Sequence, residues 1–161
     1  MVSFFTDKKS PLDIMIQKAT ELGIQKFIPI LSERTIVKEI NTTRLQKIIV
    51  EASEQSNRIS VPEIKNLEPL KYFLDRFPNE GSLIFCDINC DKSDLKNILS
   101  KKKQGPICIL IGPEGDFSEK ERQLIIEKKE IFSLSLANNI LRAETAAIAA
   151  VTIVNYHLNF S

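Results

Sequence analysis

The chain has 161 residues, 43% apolar and 27% charged, which suits one globular domain with a core of ordinary size. A formal net charge of +1 excludes a polycation that holds nucleic acid by bulk charge, so any such contact has to come from a local basic face. No apolar run approaches the ~20 residues that cross a bilayer, and Met1–Phe5 is too short and too soon followed by charge to be a secretory signal, so a cytoplasmic location is expected.

Helix and strand patterns alternate along the chain. Leu12, Met15, Ile16, Ala19 and Leu22 recur at helical spacing, and Gly23 is placed to end that helix. Lys26 to Leu31 predicts a strand, with Pro29 favouring an edge or irregular position. Thr42 or Thr43 is placed to cap a second helix, whose apolar stripe is Leu45, Ile48, Ile49 and Ala52. Val61 to Ile64 is a short extended piece, and Leu67, Leu70, Phe73 and Leu74 mark a short helix. Ser82 to Cys86 is a continuous apolar run of the kind that a strand covered on both faces requires. Leu95, Ile98 and Leu99 predict a helix before Lys101-Lys102-Lys103, and Pro106 to Ile111 the next buried strand. Ser118 with Glu121 makes a capping box for a helix through about Lys129. Ile131 to Leu136 follows as a strand, Ala137-Asn138-Asn139 as a loop, and about Arg142 to Tyr156 as the last helix. This alternation predicts a three-layer α/β domain with a mostly parallel sheet, spanning residues 1–161 without repeats or an internal linker.

Three segments carry candidate chemistry. In Ile111-Gly112-Pro113-Glu114-Gly115-Asp116 an apolar run empties into a tight loop just before a helix start, where α/β sheets bind ligands. Gly112 and Gly115 are expected to supply unusual backbone angles and close approach. The loop carries Glu114 and Asp116 but no Lys or Arg, which favours a cationic or neutral ligand over a nucleoside triphosphate; a plain strand-to-helix turn is the competing reading. Leu136 to Ala147 places Arg142, Glu144 and Thr145 at the start of an Ala-rich helix, with Glu144 favoured there by the helix dipole. Glu51, Gln55 and Arg58 fall on one helical face, which fits either a binding face or a surface ladder of ion pairs, and Ser32-Glu33-Arg34 shares that ambiguity. The lone His157 and the cysteines at 86, 90 and 108 do not supply the four closely spaced ligands of a zinc site, so no metal is expected and the thiols are expected free. A Ser-His-Asp triad, a Walker lysine and a dinucleotide fingerprint are all missing.

Together these segments resemble the catalytic domain of the 16S rRNA (uracil-N3)-methyltransferase family, within the SPOUT superfamily. The likeness rests on Gln17–Gly23, Pro29–Arg34, Glu51–Arg58, Val61–Ile64, Ile111–Gly115 and Ile140–Ala146, in the family's order and across most of the chain. It implies a deep trefoil knot near the C-terminus and S-adenosylmethionine held by loops matching the segment after Phe85, the Gly112–Gly115 turn and Leu136–Leu141. Phe85, Ile111, Gly112, Glu114, Gly115, Leu136, Ala137, Ile140, Leu141 and Thr145 are the implied cofactor residues. Arg142 and Glu144 are the implied catalytic ones, and Arg34, Glu51, Gln55 and Arg58 the implied contacts to RNA. A homodimer and a uridine of small-subunit rRNA complete the expectation.

The family's N-terminal PUA-like RNA-binding barrel is expected to be absent from this chain, which starts almost at the catalytic domain. Two loop positions depart from the family pattern: Gly115-Asp116 stands where Gly-Gly is usual, and Ala137-Asn138-Asn139 where Gly-Pro-Arg is usual. Methylation at uracil N3 removes that nitrogen's proton, with Arg142 the first candidate to stabilise the developing charge on the uracil oxygens. The base is open between Glu114 and Glu144. Two further readings stay open: a non-catalytic RNA-binding or ribosome-assembly relative with a degenerate cofactor site, and a SPOUT methyltransferase acting on another RNA site.

Overall fold

The computed structural model describes residues 2–4, 9–35, 39–77, 81–90, 94–102 and 104–160. Its elements in chain order are β1 (Val2–Phe4), α1 (Lys9–Glu21), β2 (Lys26–Leu31), α2 (Thr42–Gln55), β3 (Glu63–Ile64), β4 (Glu68–Pro69), α3 (Leu70–Arg76), β5 (Ser82–Cys86), α4 (Leu95–Lys101), β6 (Ile107–Ile111), α5 (Glu119–Ile126), β7 (Ile131–Leu134) and α6 (Ala143–Phe160). Every strand pairing is parallel, in the order β3-β2-β1-β6-β5-β7, with β4 also on β2.

A strand's side chains alternate between faces, so two neighbouring apolar strands feed two cores. Ile84, Ile109 and Ile111 point to the face covered by α1, α2, α4 and α6, where Met15, Ile16, Leu45, Ile98, Ala147 and Val151 pack. Leu83, Phe85, Cys108 and Leu110 point the other way, onto Phe73, Leu74 and Phe77 from the α3 segment and Ile125 of α5. This is the three-layer arrangement that the alternation predicts. On α6 the buried Ala143, Ala147 and Ala150 recur at helical spacing, and small side chains there let the helix lie close to its neighbours. Asn155 ties it to α1 by donating to the Leu22 carbonyl at 2.6 Å, one residue before Gly23 ends that helix at φ +94°.

The structure corrects several expectations. Met1–Phe5 carried no predicted element, yet Val2–Phe4 forms a central strand between β2 and β6; Met1 and Phe5, like Lys103 of the lysine run, lie outside the described residues. β4 is also new. β2 is interior rather than an edge, although Pro29 is in it. The Phe27 carbonyl accepts from Lys65, and Pro29, two residues on, faces the same neighbour. There the partner changes from β3, opposite Lys26 and Phe27, to β4, opposite Ile30 and Leu31, so the missing N–H falls in a gap of the ladder. The cap of α2 is Asn41, whose side chain accepts from the Arg44 N–H, rather than Thr42 or Thr43. The α5 helix ends at Ile126, not near Lys129, before Glu130 turns at φ +64°.

Arg58 is not on the face of α2 with Glu51 and Gln55. The helix ends at Gln55, Asn57 turns the chain at φ +54°, and Arg58 swings back to donate to the Thr20 and Ile24 carbonyls at 2.6 and 2.7 Å. These are carbonyls at and just beyond the end of α1, so the guanidinium closes that terminus. Replacing Arg58 with Ala should lower the free energy of urea unfolding by roughly 1–3 kcal/mol, toward the lower figure because the side chain keeps partial access to water. A midpoint shift with an unchanged slope is the expected result.

Candidate functional site

Parallel pairing of β5 with β6 and with β7 sends three loops out of one end of the sheet. They enclose a cleft of about 330 Å³, at the lower end of the range for small-molecule sites. Cys86 ends β5 and Ile88 follows it, Ile111 ends β6 and Gly112 to Glu114 and Asp116 follow it, and Ile140 to Ala143 with Ala146 come from the entry and first turn of α6. A narrow recess of about 40 Å³ adjoins it, sharing Cys86, Ile88, Leu141 and Ala146 and adding Asp87, Leu134 to Ala137 and Asn139. The main cleft is mostly apolar, with Glu114, Asp116 and Arg142 as its charged groups.

The glycine loop is shaped differently from the expectation. Its left-handed residue is Asp116, at φ +57°, and neither Gly112 nor Gly115 adopts positive φ. Asp is one of the few side-chain-bearing residues that visit this region readily. Here its Oδ1 accepts from the Phe117 N–H at 2.8 Å, and its own N–H donates to the Pro113 carbonyl at 2.9 Å. This accounts physically for Asp standing where the family pattern has a second glycine. Gly112 is favoured by close approach: a Cβ there would lie 3.3 Å from both Asp116 Oδ1 and the Phe117 ring, so one of them would have to give by a few tenths of an ångström. At Gly115 a Cβ would meet nothing within 4 Å.

Beneath the loop, Phe117 is buried and meets Phe85 edge to face, ring centres 5.6 Å apart. Helix α5 fastens the loops around it. Ser118 and Glu121 form the expected capping box, and the buried Glu121 carboxylate does more. Its Oε2 accepts from the Ser118 N–H at 3.0 Å, while Oε1 accepts from the Glu33 N–H at 2.8 Å, across 88 positions of chain. The next residue, Arg122, donates from Nη2 to Asp87 Oδ2 at 2.8 Å and from Nε to the same carboxylate. That pairing raises the Arg122 pKa above its usual value. Asp87 is buried, its other oxygen accepts from the Asn89 N–H, and its own N–H donates to the Leu134 carbonyl. One helix thus ties the turn after β2 and the loops after β5 and β6 to each other.

Of the residues singled out from sequence, Ile111, Gly112, Glu114, Ile140, Leu141 and Arg142 line the main cleft, and Leu136, Ala137 and Leu141 the recess. Gly115 sits at the rim, its carbonyl accepting from Arg34 Nη1 at 2.8 Å. Phe85 lies in the core under the loop rather than on a wall. Thr145 is exposed on α6 outside both cavities, and Glu144 is half-buried beside the cleft-lining Ala143, with Oε2 shielded from solvent and without a hydrogen-bond partner. Glu51 and Gln55 are exposed on α2, whereas Arg58 is at the opposite end of the sheet, bound to α1. Individual assignment missed Cys86, Ile88, Pro113, Ala143 and Ala146, while Asp116, read from sequence as part of the loop's acidic charge, does line the cleft. A legible signal was the rule that ligands gather where parallel strands end, which points at once to Cys86, the last residue of β5.

Among the described residues no group of three His, Cys, Asp or Glu side chains gathers to hold a metal, and no helix is long and apolar enough to cross a membrane. Burial, with Cys90 nearby, pushes the Cys86 thiol far up from its ordinary value. Half-buried on the cleft wall, it holds its proton to higher pH in the fold than in the unfolded chain, which ionises above pH 9 or so. Stability should fall as pH rises beyond that point, and urea titrations should show the wild type losing ground to Cys86→Ala only on the alkaline side.

A parallel α/β sheet with a mostly apolar cleft at its strand ends is the architecture in which α/β domains receive small ligands. Comparison with known proteins makes the class specific. A family profile described as an RNA methyltransferase domain matches residues 2–155, and the chain belongs to that family. The chain is 35% identical over 145 residues to the ribosomal RNA small subunit methyltransferase E of Rickettsia conorii, covering 89% of this chain and 59% of the relative. It superposes with a TM-score of 0.85 on the crystal structure of the same-named enzyme from Neisseria gonorrhoeae bound to S-adenosyl methionine, at 32% identity over 99% of this chain and 66% of that one. A putative methyltransferase from Legionella pneumophila, in complex with the same cofactor, gives 0.82 at 28% identity, over 97% and 65%. The chain spans about three fifths of the length of the curated relatives it matches. The family resemblance read from the six sequence segments is borne out.

Proposed function

We propose that this chain is the catalytic domain of an S-adenosylmethionine-dependent methyltransferase that modifies N3 of a uridine in small-subunit ribosomal RNA. The observation that carries the reading is the convergence of the three strand-end loops on one 330 Å³ cleft in a chain whose relatives bear that name. The residues fit the cofactor. Apolar walls from Ile88, Ile111, Leu141 and Ala146 suit an adenine and an aliphatic chain, and the carboxylates of Glu114 and Asp116 suit a cationic sulfonium and amine. No Lys stands in the glycine loop to call for a phosphate.

When bound, the cofactor supplies an electrophilic methyl group. The chain's task is alignment and charge. Arg142, exposed on the cleft wall ahead of α6, is placed to stabilise negative charge on the uracil oxygens as N3 loses its proton. Glu144 has an uncommitted oxygen shielded from water, which equips it to take or direct that proton. N3 lies on the pairing edge, so the uridine has to be unpaired or turned out of its helix. Arg34 at the rim is the local cation for the RNA strand, with Glu51 and Gln55 on the exposed face of α2.

The reading extends to the rest of the architecture. Residues 1–161 act as one domain, with the C-terminal segment threaded as a trefoil knot, a reading supported by the likeness to this methyltransferase family. The protein works in the cytoplasm, as its relatives' ribosomal target implies, and as a homodimer, the latter supported by the exposed apolar Ile88 and Ile140 at the cleft mouth and Tyr156 and Leu158 on α6.

Arg142→Ala should lower methyl transfer from labelled cofactor to unmethylated small subunits by two orders of magnitude or more, roughly 3 kcal/mol of barrier, with an unchanged melting curve. Near-normal turnover would remove Arg142 from the mechanism. Absence of calorimetric heat with S-adenosylmethionine would instead favour a non-catalytic assembly role.

A further inference from the structure

We propose that the Ser32–Thr35 turn couples RNA engagement to the cofactor loop, with Arg34 as the shared contact and Glu121 as the positioning residue that holds the turn in place. The inference rests on the methyltransferase reading above.

The turn is rigid in itself. The Thr35 N–H donates to the Ser32 carbonyl at 3.2 Å, and the Thr35 hydroxyl meets both the Ser32 hydroxyl and the Ser32 N–H. It docks on the loop after β6 and the start of α5 through two bonds distant in sequence, one from Arg34 to the Gly115 carbonyl and one from the Glu33 N–H to Glu121. Glu121 has both oxygens committed, each to a backbone N–H from a different loop, in a buried position at the start of α5. Removing either bond leaves a buried polar group without its partner, so the turn and the loop hold one relative position. A glutamine cannot replace this carboxylate, because its amide NH₂ would face one of the two N–H groups donor to donor.

Arg34 sits differently. It is exposed, and among the described residues its guanidinium bonds only the Gly115 carbonyl, through Nη1. A guanidinium has five N–H donors in a planar fork, so the others remain for an anionic or carbonyl acceptor outside the protein. Gly115 adjoins the cleft-lining Glu114 and Asp116. An RNA phosphate or base oxygen on the outer edge of Arg34 therefore fixes the same side chain that steadies the cofactor loop. Linkage requires the reverse as well: an ordered loop presents Arg34 to RNA.

The test is calorimetry with S-adenosylhomocysteine, which permits no turnover, in the presence and absence of an unmodified 16S rRNA transcript. In the wild type the transcript should tighten binding about fivefold or more, and in Arg34→Ala that factor should fall to near one. Arg34→Lys keeps the charge but loses the fork, and should keep transcript binding while losing most of the coupling. A second readout needs neither ligand: amide exchange at Glu33 and Ser118 should quicken in Glu121→Gln while the core strands stay protected. Wild-type protein that binds both ligands without coupling, or Arg34→Ala that retains it, overturns the inference and leaves the methyltransferase reading standing. Wild-type protein that binds no S-adenosylhomocysteine overturns both.

Discussion

Parallel pairing of β5 with β6 on one side and β7 on the other is the constraint from which the site follows. Parallel strands end at the same side of a sheet, so loops from residues 86, 111 and 134 onward are delivered to one edge whatever their sequences. The pairing is fixed by burial. Side chains of β5 and β6 alternate between two apolar cores, and a slip of one residue would exchange the two sets. A precise cleft can therefore rest on loops of little regular structure.

Helix α5 turns that convergence into a defined geometry. Adjacent residues reach opposite ways, Glu121 to the turn after β2 and Arg122 to the loop after β5. Both interactions engage a buried carboxylate, Glu121 or Asp87, whose two oxygens each accept a hydrogen bond, the condition under which burying a charge is tolerated. The Phe85–Phe117 contact supplies the floor. Three kinds of force, ion pairing, charged-to-backbone hydrogen bonding and aromatic packing, thus bear on one short segment between Gly112 and Arg122. The cleft inherits its shape from them.

The charged groups of the cleft lie on two walls. Glu114 and Asp116 lie on the loop after β6 and Arg142 on the segment entering α6, so anionic and cationic groups occupy different walls. Such a division suits a reaction in which a cationic donor meets an acceptor that becomes negative as it reacts. Arg34, at the rim, adds a further positive charge outside the cleft.

Much of this was legible in the residues themselves. Continuous apolar runs gave β5 and β6, helical spacing gave α1, α2 and α6, and Ser118 with Glu121 announced a helix start that the structure keeps. These are local matters, settled by side-chain chemistry and short spacing, and the glycine loop at a strand end belongs with them. Position in the sheet was not legible. Val2–Phe4 is too short to show a period, and its place between β2 and β6 depends on contacts with residues more than twenty positions away. Pro29 looked like an edge signal because its compensation is a change of neighbour from β3 to β4. Arg58 looked like a surface cation because its partners, Thr20 and Ile24, belong to another element. Glu121 was a helix cap from sequence and became a bridge only when folding brought Glu33 to it. The sequence alone determined which segments are helix and strand and which loop is chemically unusual, since those depend on neighbours along the chain. Only the tertiary structure decided which charges meet and which remain free for a ligand, because that depends on contacts the chain makes after it has closed on itself.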